Sequence, residues 1–445
     1  MKNTRRQFIQ LTAGYALGFS GLQNLVHGEK LSSSSFGYGP LIRDPNDILD
    51  LPSGFNYKVI GRSGDLMTDG FFLPSKPDGM ATFEHNSDEV LIIRNHEINP
   101  LAFGLSGPFG KGNKKIKYIP EEMIYDGGKI LPCLGGTTTL LYNTKEQKVV
   151  RQFLSLVGTL RNCSGGPTPW NSWITCEEVV MGTVGPCKKS HGWCFEVPVT
   201  DKPNLAKPIP LKAMGRFNHE AVAVEPESGD VFLTEDRHDG LIYRFKPNVQ
   251  GELAEGGKLY ALKIKGRKSF DSRNWSKVEF DVGQSEEIEW IEMEDVESPK
   301  DDLRYRGFKN GAACFARGEG MWYSKGSIYF ACTNGGIKKR GQIWKLTGEK
   351  IELFAEPNNP DLVDNCDNIT VSPWGDLFIC EDGKGEQFID IITPQGKIFK
   401  LAKNSKSSSE FAGPVFSPDG STLFVNIQHD GLTLAITGPW GEKAV

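Results

Sequence analysis

Two segments of the chain, 229–236 and 375–382, read GDVFLTED and GDLFICED. Each opens with a Gly-Asp turn, continues as a short apolar run and ends in two acidic residues, and another apolar run follows soon after. Paired apolar runs joined by Gly-containing turns are typical of β-hairpins. Because the unit recurs along the chain, it predicts a propeller or another repeat architecture.

Related units recur six times along the chain, with variations. They lie within residues 78–141, 172–197, 218–245, 317–346, 367–382 and 413–426. Successive antiparallel hairpins with no convincing long helix predict an all-β fold, a six-bladed β-propeller, whose radial repetition leaves only short and protected sheet edges. Two long insertions, 101–131 and 247–304, are expected to decorate one face of the propeller. A pair of β-sandwiches is the structural alternative.

Length and charge limit the possible functions. The chain of 445 residues is long enough for one large β domain, and we predict a single catalytic propeller domain over residues 31–445. Its net charge of -5 lacks the basic field that nucleic-acid-binding proteins carry. We therefore expect no nucleic-acid partner, and we expect the protein to be a monomer.

The first 30 residues are predicted to be an export signal rather than part of the fold. Lys2, Arg5 and Arg6 precede a mostly apolar stretch, 11–22, which is short for a membrane span but suits a signal peptide. The run 5–9, RRQFI, resembles a twin-arginine export signal, and an ordinary secretory signal is the alternative. We expect a periplasmic or secreted protein without a stable membrane anchor, with the twin-arginine export machinery as a partner.

The cysteines do not form an obvious pattern. Nine of them would suit disulfides in an exported protein, but their spacing shows neither a disulfide framework nor a zinc motif. Several lie in or beside apolar strands, where a free Cys acts as a small core residue. A pairing of Cys187 with Cys194 across a loop stays open. Because the number is odd, at least one thiol is left for another use.

Acidic residues stand at corresponding strand ends in several units. In an antiparallel pair the start of one strand lies beside the end of the next, which places Glu220 near Glu235 and Asp236. Radial symmetry brings the corresponding residues of the other units to the same mouth of the central channel. These residues are Glu97, Cys176, Glu177, Glu178, Glu319, Asp367, Glu381 and Asp382.

Such a group of acids predicts bound metal ions. Carboxylates held close together repel one another and bind protons unless cations neutralise them. Oxygen-rich surroundings favour Ca2+ or another hard ion, whereas Cys176 among the carboxylates points to a transition metal such as iron. For any single acid a solvated strand end is the more ordinary explanation. Repetition at one place in several units favours a multinuclear metal site.

The ordered motifs of the chain resemble those of the PhoX-type alkaline phosphatases over most of the length that follows the signal segment. These motifs are Asn95–Glu97, Trp173–Glu178, Arg216–Glu220, Thr234–Arg237, Arg317–Gly320, Asp367–Asn368 and Phe416–Gly420. The resemblance implies a six-bladed propeller, exported by the twin-arginine route, that hydrolyses phosphate monoesters with a cofactor of Fe(III) and Ca2+ ions. Small-molecule phosphate esters are then the expected substrates.

Motif matching also implies roles for individual residues. Cys176 is the implied iron ligand, and Glu220, Glu319 and one acid of the pair 381–382 are the implied ligands of other metals. Arg317 is the implied phosphate contact, because a planar guanidinium suits bidentate binding of phosphate. A salt bridge between Arg317 and Glu319 is the alternative explanation. On this basis the catalytic residues are Arg317, Glu319 and Cys176.

Other readings of the same residues stay open. Arg237 is a second candidate phosphate contact, although pairing with Asp236 explains it equally well. The protein is alternatively a calcium-dependent propeller esterase, lactonase or phosphotriesterase, or a non-enzymatic calcium-binding propeller. Neither alternative needs a cysteine at the metal, so Cys176 is the discriminating residue and the colour of an iron–thiolate centre is the discriminating property.

Overall fold

The structure, a computed structural model, describes residues 37–99, 107–183 and 185–442, and the predicted export signal lies outside them. In chain order the strands of these residues are β1 (Leu41–Ile42), β2 (Leu49–Pro52), β3 (Asn56–Arg62), β4 (Pro77–Glu84), β5 (Glu89–His96), β6 (Gly135–Asn143), β7 (Lys148–Thr159), β8 (Asn162–Pro167), β9 (Ser172–Glu177), β10 (Cys194–Pro198), β11 (His219–Val224), β12 (Val231–Glu235), β13 (Ile242–Pro247), β14 (Gly257–Ile264), β15 (Ser285–Glu292), β16 (Gly318–Ser324), β17 (Ser327–Cys332), β18 (Gln342–Thr347), β19 (Lys350–Ala355), β20 (Cys366–Val371), β21 (Leu377–Glu381), β22 (Phe388–Ile392), β23 (Ile398–Asn404), β24 (Phe411–Phe416), β25 (Thr422–Ile427) and β26 (Leu432–Thr437). The helical segments are one α-helix, α1 (Leu303–Asn310), and the short 3-10 helices Lys111–Tyr118, Glu121–Met123, Lys212–Met214 and Leu253–Glu255.

Six strands form a closed inner ring. They are β4, β8, β11, β16, β20 and β24, and each packs against the next in chain order, while β24 packs against β4. Each is the first strand of an antiparallel sheet, so the ring confirms the predicted β-propeller and has six blades. The blades are β4–β7, β8–β10, β11–β14, β16–β19, β20–β23, and β24–β26 with β3.

The segment before the first blade closes the ring. Strand β3 pairs with β26 and so becomes the outer strand of the sixth blade. Strand β2 pairs with β23 at the outer edge of the fifth blade, and β1 pairs with β2. These pairings cover sheet edges that would otherwise be open to another chain.

The core lies between neighbouring blades. Every residue of β12, the strand within GDVFLTED, is buried, as is every residue of β21 in the matching segment. A sheet covered on both faces has continuous apolar runs rather than an alternation of apolar and polar residues. Accordingly Leu233 packs in one core cluster with Val222 and Tyr243, whereas its neighbour Phe232 packs in another with Phe330.

The two insertions contribute differently to the structure. Residues 247–304 supply strands as well as loops, because β14 is the outer strand of the third blade and β15 joins β14 to β19 of the fourth. This sheet-forming role was not anticipated from the sequence. In the described part of the other insertion, Phe109 and Ile119 pack against Leu154 and Val157 of β7.

The six inner strands share a β-bulge at one position. Their pairing register shifts between residues 77 and 80, 162 and 165, 219 and 222, 318 and 321, 366 and 369, and 412 and 415. A bulge bends its strand and redirects a side chain, and bulges are common beside active sites. The first residues within the six shifts are Asp78, Cys163, Glu220, Glu319, Asp367 and Gly413. Five of the six blades therefore present an acid or a thiol at the same point.

Candidate metal centre

The bulged residues meet acids from the neighbouring strands in three overlapping groups. Within each group the ligand atoms lie within 4.8 Å of one another. The groups are Cys163, Glu178 and Glu220; Glu220, Glu319 and Asp367; and Asp367, Asp382 and Glu410. Because Glu220 and Asp367 each belong to two groups, the three groups form one continuous chain of ligands. The chain runs from the second blade to the fifth and reaches the start of the sixth, where Glu410 directly precedes β24.

Three further acids adjoin this chain. The amide of Gln428 donates to Asp78 at 2.7 Å and to Glu97 at 3.0 Å, which joins these two carboxyl groups. Asp236 accepts a bond from the guanidinium of Arg317 at 2.8 Å, and Arg317 also bonds Glu319 at 2.7 Å. We call the ten residues the channel network: Asp78, Glu97, Cys163, Glu178, Glu220, Asp236, Glu319, Asp367, Asp382 and Glu410.

Three predicted metal ligands instead point into their own blades. Each is the last residue of a second strand, and the acid after it belongs to the channel network, because successive side chains of a strand point to opposite sides. The three are Glu177, Glu235 and Glu381. Their carboxylates accept backbone N–H bonds from Gly192 at 2.9 Å, Leu241 at 3.2 Å and Phe388 at 3.1 Å. They hold the following loops in place rather than facing the channel.

The thiol in the network belongs to Cys163, and the structure does not bring Cys176 to the acids. The sulfur of Cys176 lies 3.7 Å from the sulfur of Cys194, within the core of the second and third blades. Cys163 occupies the bulge of β8, where its sulfur reaches the backbone carbonyl of His219 at 3.4 Å. Cys194 therefore faces Cys176 rather than Cys187, and the cysteines of the described residues are all unpaired.

Burial and mutual repulsion disfavour ionised carboxylates in the network. Burial, followed by the charge of Asp236, raises the pKa of Glu178 well above its ordinary value. Burial and the charge of Glu178 do the same to the pKa of Glu220. Burial and Asp382 raise the pKa of Asp367 to about 7. In the absence of metal ions these groups hold protons, so the donor set fits cations that would replace the protons.

Three basic residues stand at equivalent places beside the network. Lys76, Arg161 and Arg317 each directly precede an inner strand, and their φ angles are 49°, 44° and 50°. A left-handed backbone costs a residue with a side chain about 1 kcal/mol or more, and such strain clusters at functional sites. The shared conformation turns each cation toward the same mouth of the channel.

The contacts of these three cations leave different fractions of each side chain exposed. Lys76 pairs with Glu97 at 3.4 Å and is largely buried. Arg161 also binds Glu97, at 2.8 Å, and contacts Glu178, while about 30% of its side chain stays exposed. Arg317, with 27% of its side chain exposed, binds Asp236 and Glu319. The two arginines therefore retain surface at the mouth, where an anion can approach.

Arg237, the other predicted phosphate contact, is held elsewhere. Its guanidinium donates to the side-chain oxygen of Asn218 at 2.8 Å and pairs with Asp301 at 3.1 Å. The pairing of Arg237 with Asp236, which the sequence also allowed, is not observed. Asp236 instead binds Arg317.

A family model described as alkaline phosphatase PhoX matches residues 36–128 and 134–431 of the chain. The chain belongs to the alkaline phosphatase PhoX family. The resemblance drawn from the motifs is thereby confirmed, as is the prediction of a phosphatase. No curated protein matches the sequence.

Solved structures resemble this PhoX-family chain to different degrees. The structure of Pseudomonas fluorescens PhoX in complex with vanadate, a transition state analogue, superposes with a TM-score of 0.67 at 18% identity, over 91% of this chain and 98% of that one. This likeness supports the propeller fold. A gluconolactonase from Xanthomonas campestris gives a TM-score of 0.38 at 10% identity, over 90% of this chain and 98% of its own, and it bears on neither fold nor function.

Several residues of the candidate metal centre were not predicted from the sequence. They are Lys76, Asp78, Arg161, Cys163 and Glu410. A signal for most of them exists, because a basic residue, one further residue and then a ligand-type residue recur at 76–78, 161–163 and 317–319.

Among the described residues, no helix is long and apolar enough to cross a membrane.

Proposed function

We propose that this phosphatase hydrolyses phosphate monoesters with iron and calcium ions held by the channel network. The observation that supports the proposal most directly is the chain of three ligand groups that share Glu220 and Asp367. Shared carboxylates are suited to bridging neighbouring ions. Such ions supply positive charge to the phosphate oxygens during phosphoryl transfer.

The donor atoms divide the network between two kinds of metal. Cys163 supplies sulfur to the group that also contains Glu178 and Glu220, and a soft thiolate suits iron. The other two groups contain only carboxylate oxygens, which suit Ca2+. Cys163 thus takes the iron-ligand role that motif matching gave to Cys176.

The arginines at the mouth are the proposed phosphate contacts. Arg317 keeps its planar fork partly exposed beside Asp236 and Glu319, and Arg161 does so beside Glu97 and Glu178. Their carboxylate partners fix the orientation of each fork before a substrate arrives, which favours bidentate binding of a phosphate. Arg237 is not included, since Asn218 and Asp301 engage it.

The rival functions account for less of the site. A calcium-dependent lactonase or phosphotriesterase needs fewer carboxylates and no thiol, whereas this network has nine carboxyl groups and Cys163. A non-enzymatic calcium-binding propeller does not explain two partly exposed arginines beside the ligands.

Export by the twin-arginine route stays part of the proposal, and exchange of Arg5 and Arg6 for Lys should abolish export if it is right.

A pair of cysteine variants tests the metal assignment. Cys163→Ser should remove the iron, the visible charge-transfer colour and the hydrolysis of p-nitrophenyl phosphate. Cys176→Ser is the matched control, because it alters a buried thiol of the same blade outside the network, and it should retain all three. A protein that keeps its iron and activity as Cys163→Ser, or that is colourless and inactive after reconstitution with iron and calcium, contradicts the proposal.

A further inference from the structure

A second group of metal-binding side chains lies outside the channel network. Asp126, Cys133, Cys187 and His191 place one ligand atom each within 4.8 Å of all the others. All four residues are buried, and Asp126, Cys187 and His191 have no exposed surface. Two thiols, an imidazole and a carboxylate are a mixed donor set, in contrast to the carboxylates of the channel.

The ring of His191 has the orientation that a metal ligand requires. Its Nδ1 lies 2.6 Å from a carboxylate oxygen of Glu177. Its Nε2 points at the other members of the group, 3.2 Å from an oxygen of Asp126 and 3.9 Å from the sulfur of Cys133. Metal-bound histidines almost always donate their second ring N–H to a carboxylate or a carbonyl, which fixes the tautomer.

Glu177 is itself held rigidly in this role. One of its oxygens accepts the backbone N–H of Leu160 at 2.9 Å, and the other accepts those of Gly192 at 2.9 Å and Trp193 at 3.2 Å. The buried Glu177 carboxylate therefore orients His191 and does not compete for the metal position. This assignment gives a function to an acid that the channel network leaves unused.

We propose that Asp126, Cys133, Cys187 and His191 bind one zinc ion. Zinc in structural sites is four-coordinate and takes sulfur, nitrogen and carboxylate oxygen ligands, and the spacing from Cys187 to His191 is typical of a ligand pair on one loop. Asp126 is oriented for ligation by backbone N–H bonds from Gly128 at 2.7 Å and from Lys188 at 2.8 Å. Four protein ligands would fill the coordination shell and leave no open position for a substrate, so the site would be structural.

The zinc ion would join two segments that lie between strands, one in the first blade and one in the second. Asp126 and Cys133 lie in the connection between β5 and β6, whereas Cys187 and His191 lie in the loop between β9 and β10. In the part of the chain that the structure describes, the second blade has three strands, and the loop with Cys187 and His191 joins the last two of them. The ion would therefore tie this loop of the second blade to the connection that precedes the last two strands of the first blade.

Two other states of the same residues are possible outcomes of a test. Cys133 and Cys187 are close enough for a disulfide to form after a small movement, and an exported protein meets an oxidising compartment. Alternatively, His191 is an imidazolium held between Glu177 and Asp126 beside two free thiols. In the zinc state both thiols are deprotonated ligands and neither is oxidised.

Metal analysis of the full chain, together with its non-reduced intact mass, separates these states. We expect one zinc per chain in the wild type, and less than a tenth of that in Cys133→Ser and Cys187→Ser, with iron content and phosphatase activity retained. Cys332→Ser is the matched control, because its thiol is equally buried but belongs to no ligand group, and it should keep the zinc.

If the cysteine variants do not fold, cobalt exchanged into the wild type gives a second measurement. Cobalt bound by two thiolates in a tetrahedral site absorbs strongly in the near ultraviolet and visible range. Wild-type protein that holds iron and calcium but no zinc overturns the proposal. So does a mass lowered by two hydrogens with a peptide linking Cys133 to Cys187. Neither result affects the iron assignment, which Cys163→Ser tests separately.

Discussion

Removal of the metal ions from the channel network should make the stability of the protein fall as the pH rises. The network contains nine carboxyl groups, and among the residues that the structure describes the cations that pair with them are Lys76, Arg161 and Arg317. Full ionisation therefore leaves an excess of six negative charges in a largely buried space. Metal-free protein relieves this repulsion by keeping protons, as the raised pKa values of Glu220 and Glu319 indicate.

The sign and size of the effect follow from Asp367. Its pKa in the folded state is about 7, above the ordinary 3.8, so the folded state holds a proton that the unfolded state has lost. The contribution of Asp367 to stability is thus highest below pH 3.8, falls as the pH rises from there to about 7, and changes little above that. The full difference corresponds to about 4 kcal/mol, and partial exposure of Asp367 reduces it to roughly 2 kcal/mol.

Thermal unfolding of metal-free and metal-loaded protein between about pH 5 and pH 9 measures this effect. With other carboxyl groups adding to Asp367, we expect the Tm of the metal-free form to fall by about 5 °C or more, and that of the loaded form to change less. Metal-free Asp367→Asn should have a shallower slope. Glu235→Gln is the control, because burial raises the pKa of Glu235 to about 7 outside the network, so its effect should not depend on metal. A constant or rising Tm in the metal-free wild type would refute the reasoning.

Two further comparisons test individual residues. Arg317→Ala and Arg161→Ala should each weaken inhibition by inorganic phosphate by about 10-fold or more, the loss expected for a charge-assisted hydrogen bond, whereas Arg237→Ala should leave the inhibition constant nearly unchanged. Asp382→Asn should lower the calcium content and kcat with little loss of Tm. Glu381→Gln should keep its calcium but lose about 1–3 kcal/mol of stability, because the buried Glu381 carboxylate accepts backbone N–H bonds from Asp364 and Phe388. Metal analysis and thermal unfolding distinguish the two variants.

The repeated hairpins were enough to predict the propeller, because each blade packs between two others and its second strand, such as β12 or β21, is buried along its whole length. What the repeats did not predict was the outer structure. Strands β14 and β15 lie in an insertion without the Gly-turn pattern, and the residues of β15 alternate in exposure at the edge that joins two sheets. Outer strands are constrained only by local pairing, so their sequences carry less of the repeat.

Within the site, the acids that end second strands were predicted as pairs, but one member of each pair faces the channel. The alternation of side chains in a strand separates Glu177 from Glu178 and Glu381 from Asp382, and the sequence does not show which member faces which side. The position of Cys163 depends on a bulge, which changes the alternation by one residue. Without the bulge as a reference, Cys176 was the more conspicuous thiol because it adjoins two acids.

The exception in the sixth blade shows why the bulge position selects its residues. Gly413 occupies the place that holds an acid or Cys163 in the other five blades. A Cβ at Gly413 would lie 2.3 Å from the carbonyl oxygen of Asp78, because the sixth and first blades approach closely where the ring closes. No ligand side chain fits there, and the sixth blade supplies Glu410 from just before its inner strand instead. The close approach of the two blades therefore requires a glycine at the position where the other blades supply a ligand. Substitution of Gly413 by an acid should disrupt ring closure rather than add a ligand.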